Sequence, residues 1–330
     1  MLLQAFDASM PNSLPPQKKH TLPHEGHVAI LLCTYNGEKF LPQQLKSFEQ
    51  QTHRNWSLYI SDDGSQDQTE ALLQHYAKTW GEQKIEINEG PQAGFVRNFL
   101  SLTCRADIYA DYFAWSDQDD IWDKEKLEVA IKWLNGIPSN VPALYCGRTQ
   151  IICENGTTLG MSPIFPYPPH FKNALVQSIA GGNTMVFNKA AKALIMEAGY
   201  DLDIPSHDWW LYQIVSGSNG AIYYDPKPRV LYRQHKNNVV GSNSDWRARM
   251  QRLSMVFQGR FHEWNNQNIR ALESMSHCLS EEHRQTLALF KKARQQCLPA
   301  RAINILRSGL YRQTIFGNLG LFLATIARKI

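Results

Sequence analysis

From His27 onward the chain alternates short unbroken apolar runs with longer segments in which apolar residues recur every three or four positions. The first kind reads as strand and the second as helix with one apolar stripe. Val28 to Cys33 is the first strand, and Phe40, Leu41, Leu45 and Phe48 mark the helix after it. Trp56 to Ser61 repeats the strand pattern. Asp67 with Glu70 three residues later has the form of a capping box, opening a helix whose inner face is Leu73, Tyr76, Ala77 and Trp80. Ile85 to Asn88, a glycine-bearing loop, a helix around Phe95 to Leu102, the strand Tyr112 to Ser116 and a helix from Lys124 to Leu134 complete the series. Four strand–helix alternations predict an α/β fold, a mostly parallel sheet with helices on both faces.

The second half is less regular. Ala143 to Gly147 reads as a strand, and Thr149 to Cys153 before the Asn155-Gly156 turn as the first arm of a hairpin. Pro163 to Pro169 is a loop rich in proline and aromatics. Gly181-Gly182-Asn183 precedes a strand Thr184 to Phe187, His207-Asp208-Trp209-Trp210 opens a short helix, and Ala221 to Tyr224 and Arg229 to His235 read as two final strands. Beyond Asn243 the pattern is helical and basic.

Composition adds a charge asymmetry. The whole chain carries 34 Lys+Arg against 30 Asp+Glu, but from Trp246 to the end the count is 14 against 4. A basic tail follows an acidic body. The six cysteines form no C-x-x-C pair and no cluster, which fits free thiols in a reducing compartment. Met1 to His24 places prolines and polar residues where a signal peptide needs an apolar core, so residues 1–26 are expected to form a mobile leader on a cytoplasmic protein. The most apolar stretch, Ile315 to Ala327, holds Gly317, Asn318 and Gly320 and is shorter than the roughly 20 residues a spanning helix needs. It can touch a bilayer without crossing it.

Ligands of parallel sheets bind beyond the carboxyl ends of the strands. Here those ends are Thr34-Tyr35-Asn36, Asp62-Asp63-Gly64-Ser65, Gly90 to Gly94 and Asp117-Gln118-Asp119-Asp120. Two carboxylates one residue apart, as in Asp117 and Asp119, can hold a hard divalent cation that completes its shell with phosphate oxygens. An isolated D-x-D is more often a solvated turn, and Asp62-Asp63-Gly64-Ser65 has the composition of an ordinary turn as well. Two acidic strand ends delivered to one edge are harder to dismiss. A carboxylate at the second strand end can accept from the imide nitrogen of uracil or thymine, and Arg97 and Lys39 can offset phosphate charge, although each basic residue alone reads equally as surface.

Cys33-Thr34-Tyr35-Asn36-Gly37, Ser61-Asp62-Asp63-Gly64-Ser65, Ser116-Asp117-Gln118-Asp119-Asp120-Ile121-Trp122 and Tyr232-Arg233-Gln234-His235, followed by Asn238 and Gly241, together resemble glycosyltransferase family 2, nearest its rhamnosyltransferase-like bacterial members. The resemblance runs from about His27 to Ser242 and departs at Cys33, where many members have proline. It implies a GT-A fold, a nucleotide-diphosphate sugar donor, a divalent cation (Mg2+ or Mn2+) and inversion at the anomeric carbon. By the same analogy Thr34, Tyr35, Asn36 and Asp62 hold base and ribose, with Asp63 and Arg97 beside them. Asp117 lies near ribose and metal, Asp119 ligates the metal, and His235 closes over metal or diphosphate; alone, His235 would read as a structural histidine.

Inverting transfer needs one general base opposite the leaving group. Asp208 matches the family's late acidic motif and is the candidate, with Trp209 and Trp210 as a sugar platform and Gly182 and Asn183 as an acceptor-side wall. The same residues also read as an N-cap aspartate, core tryptophans and a tight turn.

In the tail, Ile303, Leu306, Leu310, Ile315, Leu319, Leu321 and Phe322 alternate with Arg301, Arg307, Arg312, Arg328 and Lys329. That pattern suits a helix on an anionic membrane surface or one packed on the body, and periodicity does not separate the two. A lipid-linked glycan acceptor, usual among such relatives, favours the membrane. No nucleic-acid module is present, so nucleic acid is not an expected partner. The resulting expectation is three regions: the leader, a catalytic domain over 27–243 whose donor half is 27–135 and acceptor half 136–243, and a membrane-associating helical region over 244–330. The expected activity is inverting sugar transfer, with rhamnose on dTDP as donor, in bacterial surface polysaccharide synthesis at the inner face of the cell membrane. Alternatives are a UDP-hexose transferase of the same fold, a metal-dependent phosphohydrolase using Asp117 as nucleophile, and a non-catalytic assembly component. For the phosphohydrolase, the D-x-D would be expected after the first strand rather than the fourth.

Overall fold

The computed structural model describes residues 26–81, 83–235 and 260–330. The expected leader, except Gly26, lies outside the described residues, as do Asn238, Gly241 and the junction at Asn243.

Every residue of β1 (Val28–Thr34) is buried. Its side chains alternate between two cores, with Ala29, Leu31 and Cys33 in one and Val28, Ile30 and Leu32 in the other. An apolar run without polar interruptions requires this double cover. β2 (Trp56–Asp62) and β4 (Tyr112–Ser116) flank β1, and β3 (Ile85–Glu89) lies outside β2, all parallel. The remaining strands are β5 (Ile121–Trp122), β6 (Ala143–Cys153), β7 (Thr158–Met161), β8 (Val186–Asn188) and β9 (Ala221–Gln234). The sheet runs β3-β2-β1-β4-β8-β6-β9-β5, with β7 hanging on β6. β8 is antiparallel to both β4 and β6, so the parallel order of the first half turns mixed there.

One face is covered by α1 (Leu41–Glu49), α2 (Thr69–Trp80) and α4 (Lys126–Leu134), which contribute Leu45, Phe48, Leu73, Leu127 and Ile131. The other takes α3 (Phe95–Cys104), α5 (Phe171–Ala174), α6 (Lys189–Ala198) and α7 (His207–Gly217). The tail folds as α8 (Arg260–Ser274), α9 (Glu281–Gln295), α10 (Leu298–Ser308) and α11 (Ile315–Ile326). Its Phe261, Ile269, Leu272, Leu287, Phe290, Ile305 and Leu321 share one core with Trp210, Leu211 and Ile214 of α7. Tail and body are therefore packed together, and Leu321, expected at a membrane, is buried inside.

Several boundaries moved for local reasons. The capping box does not form, because helix α2 starts at Thr69 and Asp67 instead accepts from the N–H groups of Thr69 and Glu38. The two expected terminal strands are one, β9, parallel to β6 on both sides of a register shift between Gly147 and Thr149. That irregularity absorbs Pro226 and Pro228, which cannot donate to a regular ladder. The strand expected over Thr184 to Phe187 begins only at Val186, because Gly182–Thr184 is a 3-10 turn, and the helix begun by His207 runs 11 residues under the cap of Ser206, which accepts from Trp209 N at 3.3 Å.

Candidate active site

Parallel pairing sets the ends of β1, β2 and β4 side by side, with Thr34 opposite Asp62 and Leu32 opposite Ser116. The polar residues beyond those ends form one connected edge. Thr34 Oγ1 donates to Asp62 Oδ1 at 2.7 Å, and Ser65 donates to the same carboxylate through N at 2.8 Å and Oγ at 2.6 Å. Asp62 is thus aimed by three donors and keeps one lone pair for a ligand. Asn36 has φ +48 and turns the chain left-handed, an αL conformation asparagine tolerates, while its Oδ1 accepts from Gln66 N. The Tyr35 side chain is exposed at this edge.

Gln118, the middle residue of D-Q-D, binds Tyr35 like a paired peptide. Its Oε1 accepts from Tyr35 N and its Nε2 donates to Tyr35 O, both at 2.9 Å. A Cβ on Gly37 would clash with Gln118 Oε1 as it stands, so glycine there leaves room for this approach. The Asp63 carboxylate is occupied otherwise: it accepts from Gln92 N and Gly94 N and holds the glycine loop. Arg97 pairs with Asp201 at 2.5 Å and Lys39 with Glu154 at 2.6 Å. The two basic candidates are engaged by surface carboxylates, which weakens the case for them as phosphate ligands.

Asp117 is half-buried beside further acids. Burial, then the charges of Asp119 and Asp208, push its carboxyl up to about 7. His235 Nε2 lies 2.7 Å from Asp119 Oδ2, and the His235 ring sits 5.0 Å from that of Phe40. Carboxylates crowded until one resists ionising are a set that a hard divalent cation would relieve, so Asp117 and Asp119 fit such a group, with the His235 imidazole nitrogen beside Asp119 as a further donor. They are not drawn into a closed cage. Among the described residues, the one trio of His, Cys, Asp or Glu with all ligand atoms within 4.8 Å is Glu197, His277 and Cys278, where α6 meets the tail.

Asp208 begins α7. Its Oδ1 takes the Ser206 hydroxyl and Trp209 N, and its Oδ2 accepts from Gly182 N at 3.2 Å. A Cβ on Gly182 would fall 2.5 Å from His207 Nε2, so the turn lies flat against the first turn of the helix. Trp209 and Trp210 do not form a platform. Both indoles are in the core, and Trp209 Nε1 donates to Ala174 O. Nor does Asn183 face an acceptor: it is buried, with its amide on Asp120.

Sequence reasoning assigned no role to Gln118, Asp120, Lys126 or Arg233. Asp120 is fully buried and takes Asn183 Nδ2 and Arg233 N; Lys126, also buried, donates to Asn183 O at 2.7 Å with its ammonium 3.1 Å from the Trp122 ring centre. Arg233 donates through Nε to Asp119 O at 2.9 Å and packs its guanidinium over Phe40. The one available signal was a lysine on the same helical face as Leu127 and Ala130, where a solvated charge is out of place.

A family model described as "Glycosyl transferase family 2" matches residues 29–194, half of the chain and both acidic strand ends. A dTDP-rhamnosyl transferase RfbG of Shigella flexneri is 34% identical over 241 residues, covering 68% of this chain and 78% of the relative. The chain belongs to glycosyltransferase family 2. Another relative, an Escherichia coli UDP-Glc:alpha-D-GlcNAc-diphosphoundecaprenol beta-1,3-glucosyltransferase, WfgD, is 30% identical over 130 residues, 39% of this chain and 47% of its own length. Among solved structures, S. aureus TarS 1-349 in complex with UDP-GlcNAc superposes with a TM-score of 0.50 at 17% identity, covering 86% of this chain and 93% of that one. GalNAc-T7 with UDP, GalNAc and Mn2+ gives 0.54 at 12% identity, covering 92% and 57%. These likenesses are of fold, the GT-A arrangement that the family resemblance implied. No helix among the described residues is long and apolar enough to cross a membrane.

Proposed function

We propose that this family 2 glycosyltransferase transfers rhamnose from dTDP-rhamnose, with inversion, to a hydroxyl of a lipid-linked glycan, and that the transfer depends on a divalent cation. The observation that carries this reading is the gathering of Asp117, Asp119 and Asp208 next to the hydrogen-bonded strand ends Thr34 to Asn36 and Asp62. Asp62, already aimed, takes the imide N–H of a pyrimidine, and Tyr35 and Asn36 flank the nucleoside. Asp117 and Asp119, with His235, would hold the cation, whose charge when bound stabilises a diphosphate leaving unprotonated. Asp208 takes the proton of the attacking hydroxyl from the opposite side. The name of the Shigella relative supports thymidine and rhamnose. The E. coli relative's name keeps UDP-glucose as the second reading. Carboxylates intact at every position argue against a non-catalytic component.

Helices α8 to α11 serve, in this proposal, as both core cover and membrane contact at the inner face of the cell membrane. Its outer side exposes Ile303, Leu306, Ile315, Phe316, Leu319, Phe322 and Leu323, with Arg307 and Arg328 also at the surface. Apolar burial with basic attraction suits an anionic bilayer. Leu310 and Leu321 drop out of that set because both pack on the core.

A thermal-shift panel of dTDP, UDP and GDP sugars with and without Mg2+ or Mn2+ tests the reading, because a ligand of the native state raises apparent stability. The expected result is the largest shift for dTDP-rhamnose with metal, abolished metal dependence in Asp119→Ala, and wild-type donor shifts with transfer at least about 10²-fold slower in Asp208→Asn. A larger metal-dependent shift with UDP-hexoses overturns the sugar assignment. Full transfer by Asp208→Asn overturns the assigned base.

A further inference from the structure

The turn Gly182–Thr184 lies between the two halves of the chemistry. On one side Gly182 N donates to Asp208 Oδ2 at 3.2 Å. On the other, Asn183 Nδ2 donates to Asp120 Oδ2, one residue from Asp119. Arg233 closes the far end, donating from its backbone N to Asp120 Oδ1 at 3.1 Å and from Nε to Asp119 O at 2.9 Å. Lys126 Nζ anchors the turn from beneath through Asn183 O, and Thr184 Oγ1 ties it to Gly181 O at 2.8 Å. Gly182, Asn183, Asp120, Lys126 and Arg233 are all buried.

We propose that Asn183 is a positioning residue, and that its bond to the buried Asp120 carboxylate fixes the general base Asp208 at its working distance from the Asp117–Asp119 turn. The inference rests on Asp208 as base and Asp119 as metal ligand. Its physical content is stiffness. A carboxylate sealed from water and holding two N–H donors has no competing solvent partner, so the hydrogen-bonded path from Asp208 through Gly182 and Asn183 to Asp120 moves as one piece. Inverting displacement needs the base in line with a leaving group held on the metal side, and a misplacement of about 1 Å costs on the order of 10²-fold in rate. The turn has nowhere else to settle, since His207 fills the space a side chain on Gly182 would need.

The test uses full-length protein in three forms, Asn183→Ala, Asp120→Asn and the exchange Asp120→Asn with Asn183→Asp. The two donors meet different oxygens of Asp120, and an asparagine there puts an NH2 in the place of one of them, so the single variant must lose one bond. In the exchange all partners return: the amide oxygen introduced at position 120 accepts from Arg233 N, the amide NH2 there donates to the new carboxylate at position 183, and the negative charge stays beside Lys126. Donor turnover is read as nucleoside diphosphate released, and binding as the affinity for dTDP and UDP with Mn2+. Expected are a kcat loss of about 10²-fold in both single variants, donor KM and diphosphate affinity within about twofold of wild type, and recovery of at least about tenfold in the exchange. Wild-type kcat in the single variants overturns the proposal, as does parallel loss of diphosphate affinity or an exchange that folds without recovery. If Asn183→Ala fails to fold, the isosteric Asp120→Asn and the exchange decide. An active Asp208→Asn would defeat the reading of the base itself; an inactive one beside fully active Asn183→Ala and Asp120→Asn defeats this inference alone.

Discussion

Two phenylalanines of the tail separate its two roles. Phe290 on α9 is 1% exposed and sits in the core shared with α7, whereas Phe316 on α11 is 85% exposed. The same substitution, Phe to Ala, should therefore have opposite consequences. At Phe290 it removes a fully packed ring and leaves a cavity, costing about 3–5 kcal/mol of stability, a large share of the roughly 5–15 kcal/mol typical of a folded domain. At Phe316 it removes a ring already in water, and stability should stay within about 0.5 kcal/mol. On an anionic bilayer the order reverses. Burying a phenylalanine contributes about 1.5–3 kcal/mol, so full insertion of Phe316 would be worth at least about tenfold in partition, and shallow insertion sits at the low end. Urea unfolding followed by tryptophan fluorescence reads the first effect, and co-sedimentation with anionic and neutral vesicles reads the second. Equal destabilisation by both variants would mean that α11 is covered by protein. Unchanged vesicle binding by Phe316→Ala would remove α11 as the anchor. Cutting the chain before Arg260 is a poor alternative experiment, because it strips the apolar cover from Trp210, Leu211 and Ile214 and should give an aggregating body.

The other expectations concern single side chains. His207 is buried against Phe99, its rings 4.1 Å apart, and burial lowers its pKa from 6.5 to about 4. The unfolded chain takes up this proton first as pH falls, so stability is complete above about 6.5 and declines by about 3 kcal/mol on the way down through 4. His207→Leu should flatten that part of a pH–stability profile; an unchanged slope assigns the acid sensitivity elsewhere. Gln118→Ala loses two hydrogen bonds to Tyr35, worth about 0.5–1.5 kcal/mol each, and should raise donor KM about tenfold with kcat within about threefold. A kcat effect without a KM effect would contradict that role. Arg301→Ala should lower Tm without weakening vesicle binding, while Arg307→Ala should do the reverse.

How much of this was legible in the sequence depends on what each residue answers to. Val28 to Cys33 and Tyr112 to Ser116 read correctly because a strand covered on both faces leaves no ambiguity in an unbroken apolar run. The convergence of Thr34, Asp62 and Asp117 followed from parallel pairing alone. Trp209 and Trp210 were misplaced because their neighbour Asp208 lies toward Asp117 and Gly182 while a helix turns successive side chains by about 100° into the core. Asn183 failed for a related reason: a polar residue in a glycine turn looks solvated until a buried partner is known, and Asp120 is 63 positions away. Partners that distant leave no periodic trace. Gln118 was likewise invisible, its two bonds to Tyr35 spanning 83 residues.

The tail shows the same limit in electrostatic terms. Counting formal charge assigns it 14 basic residues, as though all faced outward. Arg301 is buried, with its guanidinium on Thr325 O at 2.7 Å and Gln296 O at 2.8 Å, and Arg294 reaches His262 O and Asn266 Oδ1. Those cations satisfy helix-end carbonyls and polar groups between tail helices, where they brace packing and no longer attract an anionic leaflet. Lys291 is likewise paired, with Glu273. Exposed near the apolar ridge of α10 and α11 in sequence are Arg307 and Arg328, at about 1 kcal/mol each at a charged surface. Apolar contact by Leu306, Ile315 and Phe316, 77%, 84% and 85% exposed, must then supply most of the proposed affinity. Binding of that kind responds less to salt than the net charge of the tail implies, and more to the removal of a single ring.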